Sequence, residues 1–170
     1  MNLLITGKPG IGKTTLIKKL IDASGREKFA GFYTEEVRDE KGERQGFKIV
    51  TLSGKEGILA KKGLKSKYRV GKYGVNIRNL EEIAVKEIEQ ALYNNKVNAI
   101  IIDEIGPMEI CSEKFRDAVI KALDSPLRVI ATIKNASEPF LNKLRARNDV
   151  EIVEVNSNNR NNLSTIIVID

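Results

Sequence analysis

The stretch Asn2-Leu3-Leu4-Ile5-Thr6-Gly7-Lys8-Pro9-Gly10-Ile11-Gly12-Lys13-Thr14-Thr15 decides how this chain is read. A short apolar run, Asn2 to Thr6, reads as a buried strand and stops at a glycine-rich turn. From Lys13 the pattern becomes helical, with Leu16, Ile17, Leu20 and Ile21 on one face and Gly25 placed to close it. Gly7 to Thr14 matches G-x-x-x-x-G-K-[ST] at every fixed position. Each position has a physical reason. Glycines let successive backbone N–H groups curl inward around an anion, and the start of a helix adds its positive dipole end. Lys13 is expected to reach the β- and γ-phosphates of a nucleoside triphosphate, and the Thr14 hydroxyl to ligate Mg²⁺. The bare pattern arises by chance in a chain this long roughly once in 100; the strand before it and the helix after it supply the required context. The expected phosphate-binding set is therefore Gly7, Lys8, Pro9, Gly10, Ile11, Gly12, Lys13, Thr14 and Thr15.

A phosphate loop of this kind needs an acidic partner at the end of a second buried strand. Ala99-Ile100-Ile101-Ile102-Asp103-Glu104 supplies one. Four apolar residues in succession suit a strand covered on both faces, and ligands gather at the carboxyl ends of parallel strands. Asp103 is the expected second Mg²⁺ partner, beside Thr14. Glu104 is the expected base, placed to orient water for in-line attack on the γ-phosphate. Glu109, in the following turn, is a further candidate for the same site. Thr132, in the strand Val129-Ile130-Ala131-Thr132, is positioned to contact the γ-phosphate or the water. Lys8, Arg145, Arg147 and Arg160 are the candidates for neutralising transition-state charge, and nothing in the sequence selects among them.

Around these segments the pattern predicts an α/β domain spanning residues 1–170, with a mostly parallel sheet flanked by helices. Gly31 to Val37 and Gln45 to Leu52 read as strands joined through Asp39-Glu40-Lys41-Gly42, an antiparallel hairpin at one edge of the sheet. Further helices are expected over 79–94, capped by Asn79, and over 112–123 and 137–147. Further strands are expected over 127–133 and 150–155. Ser53 to Tyr73, rich in Gly and Lys with weak periodicity, reads as irregular and exposed. The tail Leu163 to Ile169 is apolar enough to pack but ambiguous in type.

Composition narrows the chemistry. There is no histidine and one cysteine, Cys111, so the commonest general base, cysteine metal clusters and intramolecular disulfides are all excluded. Catalysis must use carboxylates, lysine, arginine, hydroxyls and a hard metal ion. The net charge of +6 suits polyanions, yet acidic and basic residues alternate along most of the chain, as in a solvated, ion-paired surface. Abundant Lys, Glu and Ile suit a thermophile. Apolar runs reach about four residues, far short of the ~20 needed to cross a bilayer. The apolar start lacks a basic leader and a cleavage region, so a cytoplasmic, membrane-free monomer is the expectation.

Taken together, Gly7 to Thr15, Gly31-Phe32-Tyr33-Thr34-Glu35-Glu36-Val37-Arg38, Gly46-Phe47 and Asp103-Glu104-Ile105-Gly106-Pro107-Met108-Glu109 resemble a small family of nucleoside-triphosphatases. That family is described in thermophiles and includes the vertebrate cancer-related nucleoside-triphosphatase. The resemblance extends to Phe115, Ala131-Thr132 and Asn159-Arg160, and so covers most of the chain. It implies Mg²⁺-dependent hydrolysis of ATP, GTP, CTP and UTP to the diphosphate and phosphate, with relaxed base preference. It also implies a RecA-like P-loop sheet in which the Thr132 strand lies between the phosphate-loop strand and the Asp103 strand. The family often carries lysine where this chain has Pro107, which removes one charge and leaves the carboxylates in place. By analogy with similar folds, the loop Asn156 to Arg160 lies near the nucleobase, and Asn159 and Arg160 join the expected nucleotide-binding set.

Two other readings compete. A nucleotide or small-molecule kinase shares the phosphate loop but needs an acceptor pocket, and the Lys-rich stretch Lys61 to Lys72 is a candidate lid. A nucleic-acid-associated ATPase suits the basic charge and predicts steep salt dependence, although few aromatics are available as stacking platforms.

Overall fold

The structure, a computed structural model, describes residues 1–163; the expectation for the tail beyond Leu163 lies outside the described residues. The described residues hold nine strands: β1 (Asn2–Gly7), β2 (Phe29–Arg38), β3 (Arg44–Thr51), β4 (Glu56–Lys62), β5 (Arg69–Val70), β6 (Tyr73–Val75), β7 (Ala99–Ile105), β8 (Arg128–Ile133) and β9 (Val150–Val155). They form one sheet in the order β5-β6-β4-β3-β2-β7-β8-β1-β9. The helices are α1 (Lys13–Ser24), α2 (Ile77–Asn79), α3 (Lys86–Ala91), α4 (Glu113–Leu123) and α5 (Pro139–Arg145). A π-helical stretch, Leu80–Val85, joins α2 to α3. None of the helices among the described residues is long and apolar enough to cross a membrane.

From β2 through β7, β8 and β1 to β9 every pairing is parallel. Thr132 therefore rides on a strand between the phosphate-loop strand and the Asp103 strand, the order implied by the family resemblance. The two faces of this half's central strands β1, β7 and β8 are dry because these strands alternate between two cores. Ile100 and Ile102 pack with Leu80, Ile88, Phe115 and Val119 on one face. Ala99 and Ile101 pack with Leu16, Ile17, Leu20 and Ile21 of α1 on the other. Each fully buried aliphatic side chain contributes about 1.5–3 kcal/mol relative to exposure, which is why an uninterrupted apolar run can only be a central strand here. Gly31 lets β2 join β7: its φ is +113°, and a Cβ there would sit 2.0 Å from the Ile101 carbonyl oxygen.

The β2–β3 hairpin forms as its turn chemistry dictates. Gly42 N–H donates to the Asp39 carbonyl at 2.9 Å, and the Asp39 carboxylate accepts from Lys41 N and Glu43 N. The antiparallel side of the sheet continues past the hairpin, however, and residues 53–73 are not irregular. They hold β4 and β5, with β6 beginning at Tyr73, and β4 pairs antiparallel with β3 and β6. The lysines that weaken the hydrophobic pattern lie mostly on the outer, solvated face, while Leu59 and Ala60 face the core. Two helix starts also differ from expectation. Asn76, not Asn79, caps α2, accepting from Asn79 N at 2.9 Å; the Asn79 amide donates to the Ile58 carbonyl instead. Pro139 sets the first turn of α5 and so shortens the helix expected from residue 137.

Candidate active site

The carboxyl ends of β1, β8 and β7 meet at one edge of the sheet, where open parallel sheets place their ligands. The turn after β1 curls back through Gly10 and Gly12, with φ of +75° and +107°, and delivers the N-terminus of α1 to that edge. No side chain caps α1, so its first N–H groups are open to an anion. Lys13 Nζ lies across the loop, donating to the carbonyls of Gly7 at 3.0 Å and Lys8 at 3.1 Å.

Asp103 is the pivot of the site. It is 1% exposed, and among the described residues it forms no salt bridge. Its carboxylate accepts from the Thr14 hydroxyl at 2.8 Å and the Thr132 hydroxyl at 2.5 Å, with a longer approach from Thr34 N at 3.5 Å. Three segments far apart in sequence thus converge on one carboxyl group. Burial pushes its pKa up, and the two hydroxyls and the Thr34 amide pull the other way. The carboxylate is held by two hydroxyls and an amide, with the Lys13 charge acting on it from the phosphate loop, an arrangement that suits a hard cation.

Glu104 and Lys134 are half-buried in the same cleft as Lys13, Thr14 and Thr132. Burial raises the Glu104 pKa; Lys134 and Lys13 oppose the shift and Asp103 adds to it. Burial lowers the Lys13 pKa, with Glu104 opposing. Glu109 stands apart. It is buried beneath the turn, outside the cleft lining, and accepts from Gly106 N at 3.1 Å. Burial and the neighbouring Glu104 push its pKa up to about 8.

Residues 2–168 match the family described as NTPase. The chain belongs to the NTPase family. It is 56% identical over 163 residues to nucleoside-triphosphatase THEP1 of a Thermotoga species, across 96% of this chain and 91% of that protein. The human cancer-related nucleoside-triphosphatase is 38% identical over 180 residues, across 98% of this chain and 94% of that one. The crystal structure of THEP1 from the hyperthermophile Aquifex aeolicus superposes with a TM-score of 0.88 at 40% identity, covering 99% of this chain and 97% of that one.

Within this NTPase-family site, Pro9, Gly10, Gly12, Lys13, Thr14, Thr15, Asp103, Glu104 and Thr132 line one cleft. Gly7 and Lys8 contribute carbonyls that hold Lys13, and the Ile11 side chain packs near Gly7. Asn159 and Arg160 lie outside the cleft lining. Asn159 accepts from Asn156 N and donates to the Glu154 carbonyl, closing the loop after β9 on itself.

The arginines weighed for charge neutralisation are also engaged elsewhere. Arg145 donates to the carbonyls of Lys134 and Ala136, and Arg147 pairs with Asp124 and Asp149 near Met1, where β1 begins. Lys134 is the cation that sequence reasoning missed. Its signal was its place two residues past Thr132, just beyond the carboxyl end of β8. Arg44, Phe47, Val70, Lys72 and Tyr73 were missed as cleft residues too, because only the pairing of β3 with β2 and of β6 with β4 brings them there.

Proposed function

We propose that the chain, as a single unit over residues 1–170, hydrolyses nucleoside triphosphates to the diphosphate and phosphate with Mg²⁺. The observation that carries this reading is Asp103, buried at the end of β7 and hydrogen-bonded to Thr14 of the phosphate loop and to Thr132. Thr14 and Asp103 are the residues that would hold Mg²⁺. The donor set fits that ion: one hydroxyl and one buried carboxylate oxygen stand 2.8 Å apart, and Mg²⁺ usually takes one or two carboxylates with its waters and substrate phosphates. When bound, it would supply charge neutralisation at the β- and γ-phosphate oxygens.

The chain's own residues do the remainder. Backbone N–H groups of the loop and of the first turn of α1 cradle the phosphates. Lys13 leaves the Gly7 and Lys8 carbonyls to meet the β- and γ-oxygens, and its lowered pKa reflects the dry position in which that charge acts most strongly. Glu104, made more basic by burial, accepts a proton from water lined up on the γ-phosphate. Lys134 faces the charge that builds on the γ-phosphoryl oxygens. Glu109 acts through the backbone, holding the Gly106 turn and thereby Glu104. The cytoplasm, which keeps the lone Cys111 reduced and supplies triphosphates, is the expected compartment. Loose base selection fits a cleft in which no side chain is committed to a base edge.

The test is phosphate release from ATP, GTP, CTP and UTP with Mg²⁺ and then with EDTA. Release from several triphosphates that stops with EDTA is the expected result. Binding without release from any of the four overturns the hydrolase reading.

A further inference from the structure

Beyond the paired carboxylates of β2 and β3, the sheet ends on β5, and the charge there is of one sign. Residues 61–72 hold six basic side chains, Lys61, Lys62, Lys65, Lys67, Arg69 and Lys72, and no acidic one. Lys18 and Lys48 are answered by Glu35, Arg38 and Arg44 by Glu36, and Arg147 by Asp124 and Asp149. Among the described residues none of the six forms a salt bridge.

Three of these cations stand in a row. Lys65, Lys67 and Arg69 are exposed, while Leu64, Ser66, Tyr68 and Val70 between them are half-buried. That alternation belongs to an extended chain with one face in water, which spaces the cations about 6–7 Å apart. The row is fixed to β6. The Ser66 hydroxyl donates to the Val75 carbonyl at 2.8 Å and accepts from Tyr68 N at 3.1 Å, and Val75 N donates to the Tyr68 carbonyl at 2.9 Å. Gly74 allows the close approach, since a Cβ there would meet the Leu64 carbonyl oxygen at 2.1 Å.

We propose that this edge docks an acidic segment of a partner protein, extended along β5 with its carboxylates opposite Lys65, Lys67 and Arg69. The backbone supports the geometry. β5 pairs with β6 on one side and with no other strand among the described residues. Antiparallel pairing alternates inward and outward groups, and Tyr68 faces β6, so the N–H and C=O of Arg69 point outward. A strand added there bonds to them and sets its side chains beside the cations on the same face.

Charge and shape together select the partner. A second copy of this chain presents the same cations and is repelled, as edge lysines commonly ensure. A nucleic acid carries the right charge but cannot use a strand edge, and it finds few rings to stack on. Tyr73 is buried, and Tyr68 is half-buried with the Lys67 ammonium 5.1 Å from its ring centroid. An acidic strand satisfies both the charge and the edge. Val70, Gly71 and Lys72 also line the cleft, so the docked segment lies against its lip.

The experiment measures fluorescence anisotropy of a labelled peptide alternating Glu and Thr, titrated with the full chain at low and high salt. Labelled oligo-dT and oligo-U are titrated in parallel. Saturable peptide binding that weakens with salt is expected, because the cations are exposed and screened. Lys67→Glu and Arg69→Glu should each weaken it about tenfold or more, and Lys67→Arg should retain it. Melting curves matching wild type would show that the variants are folded. A peptide with N-methyl groups on alternate residues, unable to donate strand hydrogen bonds, should also bind more weakly. No saturable binding of the alternating peptide at low salt overturns the docking edge, as does binding that neither charge reversal changes. Tighter binding of either oligonucleotide, lost in the same variants, overturns the peptide assignment and gives the edge to nucleic acid.

Discussion

The two halves of the sheet treat their carboxylates in opposite ways. In the parallel half, Asp103, Glu104 and Glu109 are drawn out of water with no salt-bridge partner among the described residues, and burial raises all three pKa values. In the antiparallel half, Glu35 is held below the usual carboxylate range by the Lys18 hydrogen bond, against slight burial. Partial burial pushes Glu36 upward, and its Arg44 and Arg38 hydrogen bonds overcome it. One set of carboxylates is electrostatically unfinished and waits for a metal and phosphates; the other is complete and serves as a wall. The contrast teaches where reactivity resides. Desolvated, partnerless charge is retained where a ligand completes it, and surface charge is paired where nothing further is needed.

The comparison can be broken most severely at Lys13. Lys13→Ala removes the one cation lying across the phosphate loop and should lower kcat/KM by about 10³-fold or more, as loss of a preorganised charge contact does; near wild-type turnover in a phosphate-release assay would sink the site. Glu104→Gln should still bind the triphosphate but turn over about 10²–10³-fold more slowly, since an amide cannot take the water's proton. Normal single-turnover rates for that variant would move the base elsewhere.

Glu109→Gln sharpens the electrostatic contrast through stability. Glu109 gives up its proton near 4.5 when unfolded and at about 8 when folded. Between those values the folded chain holds a proton that the unfolded chain has lost, so stability falls as pH rises across that window. Without nucleotide or metal, Glu109→Gln should gain on the order of a few kcal/mol over wild type at pH 8 and almost nothing at pH 4. Parallel urea curves at both pH values would show whether the charge is strained there.

Lys134→Ala should slow turnover about tenfold, a more modest loss because Lys13 shares the same phosphate. An unchanged kcat would remove Lys134 from the mechanism. Least of all, Glu56→Ala, which breaks the exposed pair with Lys48 at 3.4 Å, should alter stability by no more than ~0.5 kcal/mol. A larger loss on thermal melting would mean that the antiparallel wall is not an electrostatically satisfied surface.

Legibility differed between the halves for a physical reason. Ala99 to Ile102 had to be apolar on both faces, because helices cover both, and so β7 announced itself and Asp103 right after that run. The stretch from Ser53 to Tyr73 has one face in water. Lysines and glycines there obey solvation and turn geometry, and short strands such as β5 leave too little alternation to detect. The hairpin turn at Asp39 to Gly42 was readable because its hydrogen bonds are local. Asn76 and Asn79 are equally good caps three residues apart, and only the Ile58 carbonyl, offered by β4, decides which of them caps the helix.

By itself the sequence determined the phosphate loop, the strand that carries Asp103 and Glu104, and the family to which they belong, since each depends on residues adjacent in the chain. Only the tertiary structure decided that Thr14, Thr132 and Thr34 share one carboxylate, and that Glu109 lies under the cleft rather than in it. It alone showed that Lys134 supplies the cleft's second cation near Glu104, and that Arg44, Phe47 and Tyr73 close its far end. Those outcomes depend on which strands become neighbours, which is set by packing across the whole sheet and leaves no local mark on the residues concerned.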